Sequence, residues 1–108
     1  MNKVELSGRL VKDVEITTSK SNVKVGKFTL AVGRKGKKDE TDFIDCITFG
    51  ELGEILLKYT EKGNRLIVCG TLHINNYKDK DGNNQKSVNV ICDDFYFVDF
   101  KEEKKRTK

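Results

Sequence analysis

This 108-residue chain lacks most of what metal, thiol or membrane chemistry would require. It has a single histidine, His73, so no His-rich metal set can be assembled. No Cys-x-x-Cys pair exists, and the three cysteines, Cys46, Cys69 and Cys92, lie far apart, each inside an apolar, strand-like run. Buried, reduced thiols are the expected state. No apolar run approaches the ~18 residues of a membrane span, and Met1 to Glu5 do not open a signal peptide. A cytoplasmic protein without a membrane partner is expected. There is no Walker-type phosphate loop. The segment Asp79 to Asn84 echoes a calcium loop, but its glycine stands fourth rather than sixth and the twelfth position is not glutamate, so it reads as a turn. Asp93 and Asp94, as strand neighbours, point to opposite faces and make no metal pair. No catalytic residue, cofactor or metal is therefore expected, and the protein is not read as an enzyme.

What the chain does have is charge. Lys, Arg, Asp and Glu make up 35% of it, against a usual value of about 25%. Such a chain encloses one modest core beneath a heavily charged surface. One domain over residues 1–100 is expected, followed by a short charged tail at 101–108. That tail carries +3 of the formal net charge of +4. The body is nearly balanced, so a polyanion site must come from local clustering. Arg34-Lys35-Gly36-Lys37-Lys38 is the clearest cluster.

From Val4 to Ile16 apolar residues fall mainly on even numbers, the period of a half-buried strand, with Gly8 as the expected bend that lets it serve two sides of a barrel. Further on, Val23 and Val25 are odd while Phe28, Leu30 and Val32 are even, which predicts a bulge at Gly26-Lys27. The basic loop leads into a third strand, Phe43 to Phe49. Leu52, Ile55, Leu56 and Tyr59 then change to helical spacing, with Gly63 expected as the left-handed stop. Period two resumes from Leu66 to Tyr77. A polar tip at Lys78 to Lys86, with Asp81-Gly82 as its turn, returns the chain along Ser87 to Val98. Three strands, one helix and two strands predict an all-β fold: a five-stranded OB-fold Greek-key barrel with one short helix between strands 3 and 4.

Phe43 and Phe49 share parity on the third strand, and Tyr77 marks the mouth of the last hairpin. Flat rings beside cations suit single-stranded nucleic acid, because bases stack on rings while lysines and arginines neutralise phosphates. Taken singly, a strand phenylalanine is also an ordinary core residue.

Several segments then fall into a known order. Asn2-Lys3-Val4, Leu6-Ser7-Gly8-Arg9-Leu10, Phe28 to Val32, Asp42 to Gly50, Lys62-Gly63, Gly70-Thr71-Leu72 and Tyr77-x-Asp79-x-x-Gly82 resemble the bacterial and phage single-stranded DNA-binding proteins over nearly all of residues 2–98. The resemblance implies an OB fold that coats single-stranded DNA in replication, recombination or repair, without cofactor, as a homotetramer or homodimer. It places the stacking aromatics on Phe43, Phe49 and Tyr77, and phosphate contacts on Lys3 and Lys62. Arg9, Arg34, Lys35, Lys37, Lys38, His73, Asn75, Lys78 and Lys86 complete the expected polar contacts. The chain departs from the family where Arg34, Lys35, Lys37 and Lys38 replace a loop aromatic. Asp45 and Glu51 bring negative charge beside the rings, and the ending Glu103 to Lys108 replaces an acidic tip, so no recruitment of repair enzymes through such a tip is expected. The alternative is an OB-fold adaptor of primosome type with secondary DNA binding; an RNA chaperone of cold-shock type would need equal or better affinity for RNA.

Overall fold

The structure is a computed structural model, and it describes residues 1–99 apart from the side chain of Lys37, so the contact expected of that residue lies outside what is described. The expected tail at 101–108 lies outside the described residues. Six strands and one helix occur in the order β1 (Val4–Leu10), β2 (Glu15–Thr18), β3 (Lys24–Arg34), β4 (Lys37–Phe49), α1 (Leu52–Tyr59), β5 (Arg65–Lys78) and β6 (Asn84–Phe97). The sheet runs β1-β5-β6-β4-β3-β2, and a further β1–β3 pairing closes it. Five strands thus form a barrel with β2 as an extension, and among the described residues the only parallel pairing is β4 with β6. That is the OB architecture.

The first strand is broken where a continuous one was expected. Residues 11 to 14 leave the ladder, and Lys12, at an inward parity position, turns out to solvent and pairs with Glu15 at 3.4 Å. A lysine cannot follow the even-numbered hydrophobes into the core, so the chain bends there rather than at Gly8. Gly8 has a different use: a Cβ on it would lie 2.6 Å from the Ala31 carbonyl oxygen, so its absence lets β1 meet β3 as well as β5.

The bulge expected at Gly26-Lys27 is absent. Val25 to Gly33 pair with β4 in unbroken register, and the shifts fall instead at Gly33/Arg34 and Cys69/Gly70. Even parity in fact runs through Gly26, Phe28 and Leu30, all buried, while Val25 stands on the outer face. Gly26 is a core position filled by the helix: a Cβ there would sit 3.0 Å from the Gly53 Cα and 3.0 Å from the Thr48 Cγ2.

That contact seats α1 on the barrel end, with Leu56 fully buried. Ile55, expected on the same face, is exposed. The helix ends at Thr60, which is extended, buried, and donates its hydroxyl to the Leu56 carbonyl. Gly63, expected as the stop, belongs instead to the turn after it, with φ +93°. The core is otherwise Leu10, Val14, Phe28, Leu30, Cys46, Leu66, Val68, Val90 and Cys92. Burial pushes the Cys46 thiol up to about 12 and the Cys92 thiol up to about 11. Among the described residues no helix is long and apolar enough to cross a membrane.

Candidate nucleic-acid interface

Alternation along β4 places Cys46 and Thr48 inside the barrel and Phe43, Asp45, Ile47 and Phe49 outside. The two rings are 66% and 51% exposed, respectively, too open for core residues. Six residues of strand set their Cα atoms about 20 Å apart, so a single base cannot touch both. Across the ladder, Phe43 faces Ala31, Asp45 faces Thr29, Ile47 faces Lys27 and Phe49 faces Val25. On the other side, parallel pairing sets Asn89 beside Asp45 and Ile91 beside Ile47.

The same outer face continues onto β5. Asn89 lies opposite His73, Ser87 opposite Asn75, and Gln85 opposite Tyr77, which is 52% exposed. All three expected rings therefore stand open on one face, two on β4 and one on the β5–β6 arm. Between β3 and β6 this face dips into a cleft of about 390 Å³ lined by Lys12, Glu15, Lys27, Thr29, Asp45 and Asn89, among others.

The expected cations divide into three groups. In the first, Arg34, Lys35, Lys37 and Lys38 sit at the β3–β4 tip, which is a tight turn at Lys35-Gly36 rather than the open loop expected, with Gly36 at φ +79°. Arg34 is turned inward on its own hairpin. Its Nε and Nη2 donate to Asp42 at 3.0–3.2 Å and its Nη1 to Glu40 at 3.1 Å. These bonds, Asp42 first, hold its pKa above the ordinary value. Lys35 and Lys38 have no ion pair among the described residues.

The second group surrounds Tyr77. Lys78 and Lys86 share a shallow depression with Tyr77, Asn76 and Asn84. His73 Nε2 lies 3.0 Å from the Thr71 hydroxyl, and Asn75 is exposed. The tip beyond them is internally bonded: the Asp79 carboxylate accepts from the Asp81 and Asn83 amides at 2.9 Å each and from Gln85 Nε2 at 3.1 Å. Those bonds, the Asn83 amide first, lower its pKa. No group of three or more metal-binding side chains occurs among the described residues.

The third group stands apart. Arg9 belongs to β1, Lys3 immediately precedes that strand, and Lys62 lies in the turn after α1. Lys3 pairs with Glu5 at 3.7 Å. Arg9 Nη1 donates to the Gly63 carbonyl at 2.9 Å, and the Lys62 backbone amide donates to Asp13 at 2.8 Å. Arg9 and Lys62 thus come together, one on β1 and one in the turn after α1, neither of which pairs with β4.

Sequence reasoning missed Lys12, Lys27, Thr29 and Asn89 as parts of this face. Lys27 and Thr29 alternate with the core residues Phe28 and Leu30, a signal of outward direction; their placement beside Asp45 needs the β3–β4 register, which no local pattern supplies.

Comparison with known proteins shows the family. The profile described as the single-strand binding protein family matches residues 1–98. A Clostridium perfringens "Single-stranded DNA-binding protein" is 45% identical over 100 residues, covering 92% of this chain and 67% of that protein. Staphylococcus aureus proteins named "Single-stranded DNA-binding protein 1" are 38–39% identical over 104 residues, again covering 92% of this chain. The chain spans 62–67% of the length of these relatives.

Proposed function

Because the chain belongs to the single-strand binding protein family, a family of non-enzymatic DNA-binding proteins, we propose that it binds single-stranded DNA with little regard to sequence and protects it during replication, recombination or repair. The observation that carries this reading is the exposure of Phe43, Phe49 and Tyr77 on one outer face, beside a polar cleft whose lining includes Lys12 and Lys27 as well as Glu15 and Asp45. Each ring offers a base a flat apolar surface that water leaves readily, and stacking of this kind contributes about 1–3 kcal/mol per base whatever the base.

Lysines hold the phosphates. Lys35, Lys38, Lys78 and Lys86 flank the rings from the two arms, and His73 and Asn75 supply polar contacts between them. Lys3, Arg9 and Lys62 extend the track around the barrel, and Arg34 joins it where a phosphate displaces Asp42. The assembly is a homotetramer or homodimer, so that a strand leaving one barrel meets the next.

A gel-shift comparison of single-stranded with duplex DNA, repeated over a range of salt, tests the reading. Strong preference for the single strand is expected, with log K falling linearly against log salt by about 0.7 for each phosphate contact. Equal or absent binding to both DNA forms overturns it and favours the protein-adaptor reading.

A further inference from the structure

The rings account for bases but leave the backbone between them without a path. Phe43 and Phe49 stand about 20 Å apart along β4, so a strand stacked on both has to lay phosphates across the middle of the face. Asp45 and Ile47 occupy that middle, and their neighbours differ on the two sides. Toward β6 stand Asn89 and Ile91, which carry no charge. Toward β2 stand Thr29 and Lys27, and directly opposite Lys27 on β2 stands Glu15.

Lys12 joins this flank from outside the ladder. The bend that keeps its ammonium out of the core carries it to the same cleft, where its Nζ lies 3.4 Å from Glu15 Oε2. Lys27 is exposed and has no ion pair among the described residues. Two ammoniums therefore share one carboxylate, and the flank keeps a positive surplus. The cleft's other carboxylate, Asp45, lies one row along on β4, with its Oδ1 accepting from the Thr29 hydroxyl at 2.9 Å. It repels a phosphate from the centre of β4 while the lysines draw it to the side. The Lys12–Glu15 pair does not close the position, since its side chains are 58% and 62% exposed and pairs so open to water are weak. A phosphate oxygen can take Lys12 from Glu15 at little cost.

We infer that Lys12 and Lys27 form a phosphate seat with Glu15 as its displaceable counter-ion, and that the backbone joining the bases on Phe43 and Phe49 tracks over the β2–β3 flank rather than over β6. This rests on the single-stranded DNA-binding reading above. It adds to that reading two cations from a part of the chain with no basic cluster, and a route between the rings.

The test is the salt dependence of oligo-dT affinity, read by fluorescence anisotropy of a labelled strand for the native protein, Lys27→Met and Lys58→Met. Each substitution removes one positive charge and keeps an unbranched apolar stem, and Lys58, on α1, lines no part of the cleft. Thermal denaturation of the same samples checks that they are folded. In Lys27→Met the slope of log K against log salt is expected to fall by about 0.7, so that the native-to-variant affinity ratio shrinks about fivefold for each tenfold rise in salt. Lys58→Met keeps the native slope, and Lys27→Arg restores it. Glu15→Gln, which releases Lys12, binds up to about fivefold more tightly. A native slope in folded Lys27→Met, an equal fall in Lys58→Met, or weaker binding by Glu15→Gln overturns the inference while leaving single-stranded binding intact. Failure of the native protein to bind the strand overturns the underlying reading, and this inference with it.

Discussion

Replacing Phe43 with alanine separates binding from folding more cleanly than any other change to the three rings. About a third of its surface is covered, since the residue is 66% exposed. Full burial of a phenylalanine is worth about 1.5–3 kcal/mol, so truncation should cost the fold only about 0.5–1 kcal/mol. The stacked base should lose about 1–3 kcal/mol, a factor of about 5 to 150 in Kd. Anisotropy of a labelled oligonucleotide, read beside thermal denaturation of the same sample, resolves the two effects. Phe43→Tyr keeps a flat ring and should bind nearly as well as the native protein. Phe43→Leu keeps apolar area without the ring and should behave like alanine. The salt dependence should be the same in all three variants, because Phe43 neutralises no phosphate. Native-like affinity in a folded Phe43→Ala protein, or equal binding by the leucine and tyrosine variants, would refute the reasoning.

Three further outcomes follow from the barrel itself. At pH 8 the half-buried Cys69 should react with a water-soluble disulfide reagent well before Cys46 and Cys92, and synchronous loss of all three thiols would show the core to be open. The two buried thiols have folded pKa values of about 12 and about 11, above the ordinary 9.0, so their contribution to stability is complete below pH 9 and is lost as the pH rises from there toward 12, where the unfolded chain ionises first. Gly70→Ala would drive a Cβ to 1.9 Å from the Ile91 carbonyl oxygen, against backbone that cannot swing aside. A loss of about 3 kcal/mol or more is expected in chemical denaturation, and an unchanged midpoint would contradict the packing at this register shift.

The barrel was legible because its strands alternate cleanly. Leu66, Val68 and Gly70 mark the inward face of β5 without help from any neighbour, and the helical spacing around Leu56 stands out between two runs of period two. What misled were residues whose side chains carry no hydrophobic signal. Gly26 is buried because the helix approaches it at Gly53, so a parity count that looked for large hydrophobes selected Val25 instead. Gly63 had the right conformation in the wrong turn. Leu72, Ile74 and Val88 follow the core parity yet stand exposed, because the β5–β6 arm carries the pattern past the end of the barrel. Parity put Phe43 and Phe49 on one face of β4, but their role as stacking rings, and that of Tyr77 on β5, came from the family resemblance. The polar floor of the candidate site had neither signal, since Thr29, Asp45 and Asn89 come from three strands far apart in the chain.

The fork from Arg34 to Asp42 and Glu40 gives the β3–β4 arm its own internal counter-ions. A hairpin so neutralised keeps its shape in the absence of any ligand and offers an incoming polyanion less net attraction than its cluster of basic residues suggests. Capture at this tip therefore falls to Lys35 and Lys38, while the guanidinium acts as a brace that yields only to an anion able to outbid two carboxylates.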